Sequence, residues 1–283
     1  MNKAALLIAI MSLVVVTIAV DNTRTMHVDA APIESSVVDV IQKPKGDELT
    51  EEFHESYPLS PAGRVSVANI NGDVHINVWD ENSVKVDAVK RAYSQQRLAE
   101  VTIDVTNTAD SVKVRTKYPD SQNYSRNRED SPASVEYTLT IPRRASLEGA
   151  ELVNGSLEVD GIQGDVHASL VNGTVKASGV GGDVKLSTVN GGIEANLATL
   201  DGAKSVNLNS VNGPIELLVP SGASADIKAS TIHGAITNDF GLEVEKGQYV
   251  GHNLSGQIGS GGMRVRLNNV NGPISIKRAG SAM

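Results

Sequence analysis

The second half of the chain repeats the tripeptide Val-Asn-Gly, and this repeat constrains the fold more than any other feature. A fixed repeat marks stacked structural units, so it has to be interpreted before any single element. The asparagine-glycine pairs are Asn154-Gly155, Asn172-Gly173, Asn190-Gly191, Asn212-Gly213 and Asn271-Gly272. Each pair is followed by a short stretch in which apolar and polar residues alternate. The repeats therefore predict a protein built from β-strands.

Apolar side chains stand two residues before and two residues after almost every turn glycine. Around Gly173 they are Val171 and Val175, and the polar residue Lys176 follows. Alternation with a period of two residues is typical of strands with one buried face and one solvent-exposed face. We therefore expect the apolar residues on both sides of each turn to supply the core.

The spacing of the turns distinguishes among β architectures. Turn glycines follow one another every nine residues from Gly155 to Gly191, but asparagine precedes only every second one. The structural period is therefore two strands and two turns, or 18 residues, and it widens to about 22 residues after Gly191. Such a period predicts an all-β, right-handed parallel β-solenoid, also called a β-helix, of about 18–22 residues per coil.

Stacked coils place equivalent asparagines above one another along one edge. A side-chain amide carries both a donor and an acceptor, so we expect the asparagines to form a hydrogen-bonded ladder. Glycine in the turn supplies the positive φ of a tight corner. The ten residues of the five Asn-Gly pairs are thus predicted to be structural.

A meander of β-hairpins is the alternative, because Asn-Gly between alternating stretches is also a strong hairpin signal. A meander gives no reason for asparagine at every second turn. Stacked coils do, and the solenoid is therefore favoured.

The N-terminal residues predict export. Lys3 precedes an uncharged, apolar stretch from Ala4 to Val20, which favours a signal peptide in residues 1–20, with an uncleaved membrane anchor as the alternative. Residues 21–63 carry nine acidic and three basic residues and several prolines, which predicts a disordered acidic tether. An extracytoplasmic location follows, in the periplasm or at the cell surface, with membrane contact only through the N-terminal segment.

Residues 64–148 form a second β-rich section, predicted to cap the solenoid and to be continuous with it. Residues 91–100 lack glycine and proline and are rich in helix formers, so one short helix is expected there. The Val-Asn-Gly solenoid is assigned to residues 149–278 and a short tail to 279–283. No comparable cap is expected after Ile276, which leaves that edge open to association.

The order of these parts resembles a known family. A section of strands around a helix closes on Tyr137-Thr138-Leu139-Thr140-Ile141-Pro142, and Val-Asn-Gly-x-hydrophobic repeats follow. From Arg64 to Lys277 the chain is similar to the "putative adhesin" domain family of bacterial envelope proteins. The resemblance implies a β-solenoid in an extracytoplasmic setting, and it carries no functional residues to transfer.

No residue pattern indicates a catalytic, cofactor or metal site. Asp73, Asp165 and Asp183 directly follow turn glycines, and we expect them to cap turns rather than to bind calcium. If coils stack every 18 residues, Glu158, Lys176 and Glu194 form one row of alternating charge instead of a catalytic pair. Outside the tether the chain is nearly neutral, which argues against nucleic acid as a partner.

The sequence thus predicts a non-enzymatic, exported β-solenoid that acts as an adhesin-like binding or scaffold module of the cell envelope. Its partner would be an envelope protein or polymer, or another copy of the chain. The alternatives are a polysaccharide-active β-helix enzyme, which requires converging carboxylates, and a self-assembling structural protein.

Overall fold

The computed structural model describes residues 48–119, 130–198, 205–247 and 250–280. The predicted signal or anchor, the tether up to residue 47 and residues 281–283 lie outside these ranges. In chain order the elements are β1 (Leu49–Pro58), β2 (Arg64–Asn71), β3 (Val74–Trp79), β4 (Ser83–Ala92), α1 (Gln95–Glu100), β5 (Thr102–Thr108), β6 (Ser111–Lys117), β7 (Ser134–Pro142), β8 (Ser146–Asn154), β9 (Leu157–Asp160), β10 (Val166–Asn172), β11 (Val175–Val180), β12 (Val184–Asn190), β13 (Ile193–Leu197), β14 (Ser205–Asn212), β15 (Ile215–Val219), β16 (Ala225–His233), β17 (Ile236–Asn238), β18 (Val244–Lys246), β19 (His252–Ile258), β20 (Met263–Asn271) and β21 (Ile274–Arg278).

The strands form two sheets. Sheet I has the order β1-β4-β7-β3-β9-β11-β13-β15-β21-β17, and sheet II has the order β18-β19-β16-β20-β14-β12-β10-β8-β2-β6-β5. Neighbouring strands in the middle of both sheets run parallel. The predicted all-β class is confirmed, and so is the short helix, which is present as α1.

One coil consists of a strand of sheet II, an Asn-Gly turn and a strand of sheet I. In the middle of the stack the register places Asn172 beside Asn190 and Asn190 beside Asn212. Successive coils therefore begin 18 and then 22 residues apart. Within a coil, the chain passes from one sheet to the other instead of folding back as a hairpin.

The coils do not stack in the order of the sequence. Strands β20 and β21, which come last in the chain, lie between the coil of β14 and β15 and the coil of β16 and β17. The 22-residue coil expected between Gly234 and Gly256 is wrong, because Gly256 lies inside β19. That strand runs antiparallel to β16 and opposes Ile227 with Gly256.

The C-terminal end of the stack is not the open edge expected after Ile276, since β21 is an interior strand of sheet I. Sheet II ends instead in two antiparallel strands, β19 and then β18. The edge strands β17 and β18 are three residues long each. Very short edge strands offer little template for pairing with another chain.

At the N-terminal end both sheets continue past the first coil of β2 and β3. Sheet I adds β7 in parallel and then β4 and β1 in antiparallel order, and sheet II adds β6 and β5. The tether predicted for residues 21–63 is therefore wrong over Leu49–Pro58, which form β1. Phe53 and Tyr57 pack against the core, and this contact offsets the acidic composition of the strand.

The core lies between the two sheets and consists of stacked columns of aliphatic side chains. Val166, Val184 and Val206 form one such column in sheet II, and Val175, Ile193 and Ile215 form one in sheet I. Burial of a side chain of this size contributes roughly 1.5–3 kcal/mol. Repetition of the same contact in every coil makes the stack continuous.

Tyr137 fills the wider interior at the N-terminal end. Its side chain is fully buried, and its hydroxyl lies 2.7 Å from Oγ1 of Thr116 on the facing sheet. Burial raises the pKa of Tyr137 to about 12. The buried phenol thereby joins sheet I to sheet II through a hydrogen bond.

No helix among the described residues has both the length and the apolar character needed to cross a membrane.

Candidate functional site

The asparagines of the Val-Asn-Gly repeats form a column along one edge of the stack. Asn172 Nδ2 donates to Asn154 Oδ1 at 2.9 Å, and Asn190 Nδ2 donates to Asn172 Oδ1 at 2.9 Å. The same bond continues from Asn154 to Asn71, from Asn212 to Asn190 and from Asn271 to Asn212, at 3.0, 2.8 and 2.8 Å. His233 takes the next position, beside Asn271. The amides bond mainly to one another, so the column has a structural role.

The turn glycines are required by close stacking of the backbone. A Cβ atom on Gly173 would overlap the carbonyl oxygen of Gly155, and one on Gly191 would overlap that of Gly173. The backbone at both positions is close to extended, with φ of 158°. The positive φ expected at these corners is therefore not the reason for glycine; contact with the coil beneath is.

A second polar column lies inside the stack, directly beside the turns. Thr188 Oγ1 donates to the carbonyl oxygen of Gly173, and Ser210 Oγ donates to that of Gly191, both at 3.0 Å. Asn269 and Thr231 make the same bond to Gly213 and Gly272. These side chains are buried, and the bonds satisfy turn carbonyls that have no strand partner.

The aspartates that follow turn glycines bond across coils. Asp165 Oδ1 accepts from the backbone N–H of Asp183 at 3.0 Å, and Asp183 Oδ1 accepts from that of Ser205 at 3.1 Å. Asp73 Oδ1 accepts from the N–H of Ser156. Each carboxylate caps the backbone of the next coil instead of its own turn, which is the correction to the sequence expectation.

The aliphatic residue before each asparagine faces solvent. Strand pairing and alternate burial place Val171, Val189 and Val211 on the outer face of sheet II, where Val211 is 38% exposed. The core position is the preceding residue, such as Leu170. We call the outward-facing set the aliphatic row; its members, in stacking order, are Ile70, Val153, Val171, Val189, Val211, Val270 and Ile232.

The aliphatic row contradicts the expectation that both apolar residues flanking a turn are core. The turn interrupts the period-two alternation, so the two sides of it are out of phase. A signal was present in the sequence, because Leu152-Val153 and Leu170-Val171 are adjacent apolar residues. Neighbours in a strand point to opposite faces, so one residue of each pair has to be outside.

A shallow groove runs beside the aliphatic row on the outer face of sheet II. It has a volume of about 300 Å³ and is lined by Val189, Val211, Val270 and by a parallel row of hydroxyl and amide side chains. That polar row is Ser169, Ser187, Asn209 and Asn268. The face thus combines apolar contact area with hydrogen-bonding groups at the strand spacing of about 4.8 Å.

The outer face of sheet I has a different character. Glu158, Lys176 and Glu194 lie side by side in register, with Lys176 Nζ 3.7 Å from Glu158 Oε1. Lys277 Nζ lies 2.9 Å from Glu216 Oε2, and His75 Nδ1 lies 3.3 Å from Glu158 Oε2. Charges that alternate and pair in this way are typical of a solvated sheet surface.

Titratable side chains do not gather around one point in the described parts of the chain. No group of three or more histidine, aspartate or glutamate residues there could hold a metal ion. His54 has a raised pKa because of its hydrogen bond with Asp87 and a second one with Glu52, and it is solvent exposed. This pair lies on β1 and β4, away from the repeat stack.

These features define an all-β repeat protein with two mainly parallel sheets and a hydrogen-bonded asparagine column. Residues 150–277 match the family described as Toastrack DUF4097, and this part of the chain is a domain of that family. The family resemblance noted from the repeats is thereby confirmed. No curated protein matches the sequence.

Solved structures with similarity to the chain come from several bacteria. A "putative cell adhesion protein" from Clostridium sporogenes ATCC 15579 is 16% identical, with a TM-score of 0.49, and the match covers 81% of this chain and 100% of that one. A "putative adhesin" from Bacteroides fragilis NCTC 9343 is 13% identical, with a TM-score of 0.34 and coverage of 81% and 97%. A "putative lipid binding protein" from Parabacteroides distasonis ATCC 8503 is 12% identical, with a TM-score of 0.29 and coverage of 83% and 97%. Similarity at this level does not transfer a function.

Proposed function

We propose that this protein is an exported, non-enzymatic, adhesin-like module that binds a repeating glycan polymer of the bacterial cell envelope through the outer face of sheet II. The proposed scaffold is a right-handed solenoid with 18 to 22 residues in each regular coil. The aliphatic row carries the proposal, because it exposes apolar side chains where a purely structural strand would carry polar ones.

The regularity of the face favours a repeating partner. The aliphatic row crosses seven adjacent strands of sheet II, which corresponds to roughly 29 Å at the usual strand spacing. It offers the same aliphatic contact at each step, flanked by hydroxyl and amide groups. The apolar faces of sugar rings can pack on the valines while their hydroxyls bond to the polar row, a division of labour that is common in ligand sites.

Rigidity supports the same function. The asparagine column, the buried polar column and the close glycine contacts hold successive coils at one spacing. A surface held in this way is ordered before the partner arrives, so little conformational entropy is lost on binding.

The enzyme alternative finds less support. Glycoside hydrolysis requires two carboxyl groups that flank one bond. On the outer face of sheet I the described glutamates alternate with cations and pair with them. The groove on sheet II is lined by aliphatic, hydroxyl and amide side chains.

The assembly alternative is weakened by the ends of the sheets. Association along the stack would pair β17 or β18 with another copy, and each of these strands has three residues. A short, twisted edge provides few backbone groups for such pairing.

Binding can be tested by sedimentation of the full chain with purified envelope polymers. The triple variant Val171→Thr, Val189→Thr and Val211→Thr keeps side-chain shape and removes the apolar contact. We expect it to lose at least about tenfold in affinity, since three buried methyl contacts are replaced. The control carries Thr138→Ser and Thr237→Ser on sheet I and should bind like the wild type. Equal binding of the valine variant and the wild type would rule out the proposed face.

Export can be tested separately in a bacterial host that expresses the full chain. Protease added to intact cells and to spheroplasts should degrade an extracytoplasmic protein while a cytoplasmic marker survives. Protection in spheroplasts would contradict the proposed location.

A further inference from the structure

A cluster of cations lies on the outer face of sheet II, at the opposite end of the strands from the aliphatic row. Arg264 and Arg266 project from β20, Lys228 from β16 and Lys185 from β12, and all four are solvent exposed. In the sheet, Arg266 lies directly beside Lys228 and beside Asn207, and Asn207 lies beside Lys185. We call these four residues the basic cluster.

The basic cluster lacks the pairing that the same fold provides elsewhere. Over the ranges that the structure describes, no carboxylate oxygen lies within 4.0 Å of a nitrogen of Lys185, Lys228, Arg264 or Arg266. On sheet I, by contrast, Lys176 and Lys277 each contact a glutamate in the adjacent strand. Like charges placed directly opposite each other destabilise a sheet, so the juxtaposition of Lys228 and Arg266 is unfavourable without an added anion.

The nearest carboxylate is directed elsewhere. Asp226 lies beside Arg264 in the register, but its Oδ2 accepts a hydrogen bond from the backbone N–H of Gly262 at 3.3 Å. It therefore holds the turn before β20 instead of neutralising the cations. The chain as a whole carries a net charge of −8, so a local excess of positive charge is contrary to its overall composition.

The cations surround a shallow pocket that can admit an anionic group. The pocket has a volume of about 440 Å³, and its lining includes Lys228, Arg264, Arg266 and the polar side chains Ser255 and Gln257. Guanidinium groups bind carboxylate and phosphate through paired N–H donors, and lysine adds a mobile point charge. The hydroxyl and amide groups can bond to neighbouring oxygens of the same ligand.

We propose that the basic cluster binds the phosphate or carboxylate groups of an anionic envelope glycan. This inference rests on the proposed function and adds the charge of the polymer to it. The cluster and the aliphatic row lie on one face, so a glycan can place its acidic groups on the cations and its rings on the valines.

A polymer fits this end of the face better than a lipid bilayer. The residues around the cations are Ser205, Asn207, Ser255 and Gln257, which give no apolar side chain to enter a membrane. From Lys185 to Lys228 the cluster crosses three strand spacings, or roughly 14 Å. That distance suits a few acidic groups along one chain.

The test uses the full chain and four probes: polygalacturonate for carboxylate, a glycerol-phosphate teichoic acid for phosphate, neutral dextran, and phosphatidylglycerol vesicles. The variant is Lys228→Gln, Arg264→Gln and Arg266→Gln. The matched control is Lys85→Gln, Lys176→Gln and Lys277→Gln, which removes the same charge from ion-paired lysines on sheet I. Circular dichroism and thermal unfolding establish that both variants are folded.

We expect the wild type to bind at least one of the two acidic polymers, with an affinity that falls as salt rises. The cluster variant should lose at least about tenfold in that affinity, and the control should stay within about twofold of the wild type. Salt-independent binding, or equal losses in both variants, would overturn the inference.

Three further outcomes separate this inference from the proposed function. Binding of dextran as strong as that of the acidic polymers, with valine variants impaired, would leave the glycan function in place and reject the anion. A loss confined to vesicle binding in the cluster variant would identify a membrane surface as the ligand and reject the glycan. Failure of the folded wild type to bind any polymer would reject both proposals.

Discussion

Thr188 Oγ1 donates a hydrogen bond of 3.0 Å to the carbonyl oxygen of Gly173, from one coil to the turn of the coil beneath. The bond lies in the interior, where Thr188 is 3% exposed. It links a buried side chain to a backbone group that the sheets leave unpaired, and so it connects turn chemistry to core packing.

Replacement of Thr188 by valine should destabilise the protein without changing the shape of the core. Thr188→Val leaves the Gly173 carbonyl without its donor, and a buried unsatisfied group costs about 1 to 3 kcal/mol in the free energy of unfolding. Denaturant unfolding of the variant measures this loss. The control Thr174→Val changes an exposed threonine in the neighbouring turn and should have little effect. A similar loss in both variants would show that the buried bond is not responsible.

A methyl group at the turn should be far more damaging. In Gly173→Ala the new Cβ overlaps the Gly155 carbonyl oxygen, so the coils have to separate locally, and we expect a loss of at least about 3 kcal/mol. Gly149→Ala is the matched control, because a Cβ there meets nothing within 4 Å. Thermal unfolding of both variants decides the point, and a mild effect at Gly173 would refute the steric explanation.

A carboxylate in the asparagine column should make stability depend on pH. Asp in place of Asn172 cannot donate to Asn154 Oδ1 when ionised but can when protonated, so folding raises its pKa above the usual value of about 3.9. The stability of Asn172→Asp is therefore greatest below that value and falls as pH rises through the folded pKa, by about 1 kcal/mol. Urea titrations at several pH values measure the change.

The control for this variant is Asn77→Asp, at an exposed position of β3 outside the column. Its stability relative to the wild type should be nearly constant over the same pH range. A flat profile for Asn172→Asp as well would mean that the amide bonds contribute nothing.

Alkaline unfolding should depend on Tyr137. Its pKa is raised by burial to about 12 in the folded protein, against an ordinary value of 10.0. Because the folded pKa is the higher one, stability is fully present below pH 10 and falls as pH rises from about 10 towards 12, by roughly 3 kcal/mol. In Tyr137→Phe this part of the decline should vanish. Unfolding curves between pH 9 and 12 compare the two proteins, and parallel declines would contradict the assignment.

The position of the last coil predicts an unusual effect of truncation. Strand β16 pairs with β20 and not with β14, so a chain that ends at residue 262 loses the link between β16–β19 and the rest of the stack. Limited proteolysis should then cleave within residues 214–262 while the coils up to β15 remain protected. A chain that ends at residue 280 is the control. Continued protection of β16–β19 in the shorter chain would show that they can pair directly with β14.

The period of the repeats was sufficient to predict parallel stacking, the all-β class and a short helix near residue 95. Its reach ended where local patterns become ambiguous. Val171 looked like a core residue because alternation was extended through the turn, and Leu49–Pro58 looked like a tether because its glutamates outweighed Phe53 and Tyr57. The basic cluster was also invisible, since Lys228 and Arg266 are 38 residues apart in the chain and meet only through β16 and β20.

The sequence by itself determined the unit of this protein: a strand, an Asn-Gly turn and a second strand, whose spacing and alternation are local properties of the chain. Only the tertiary structure decided the order in which the units stack. Asn212, Asn271 and His233 offer nearly the same corner, and Ile215, Ile274 and Ile236 offer the same core contact, so local sequence does not state which coil lies next to which. That choice is made by the packing of whole coils, and it places the last strands of the chain inside both sheets.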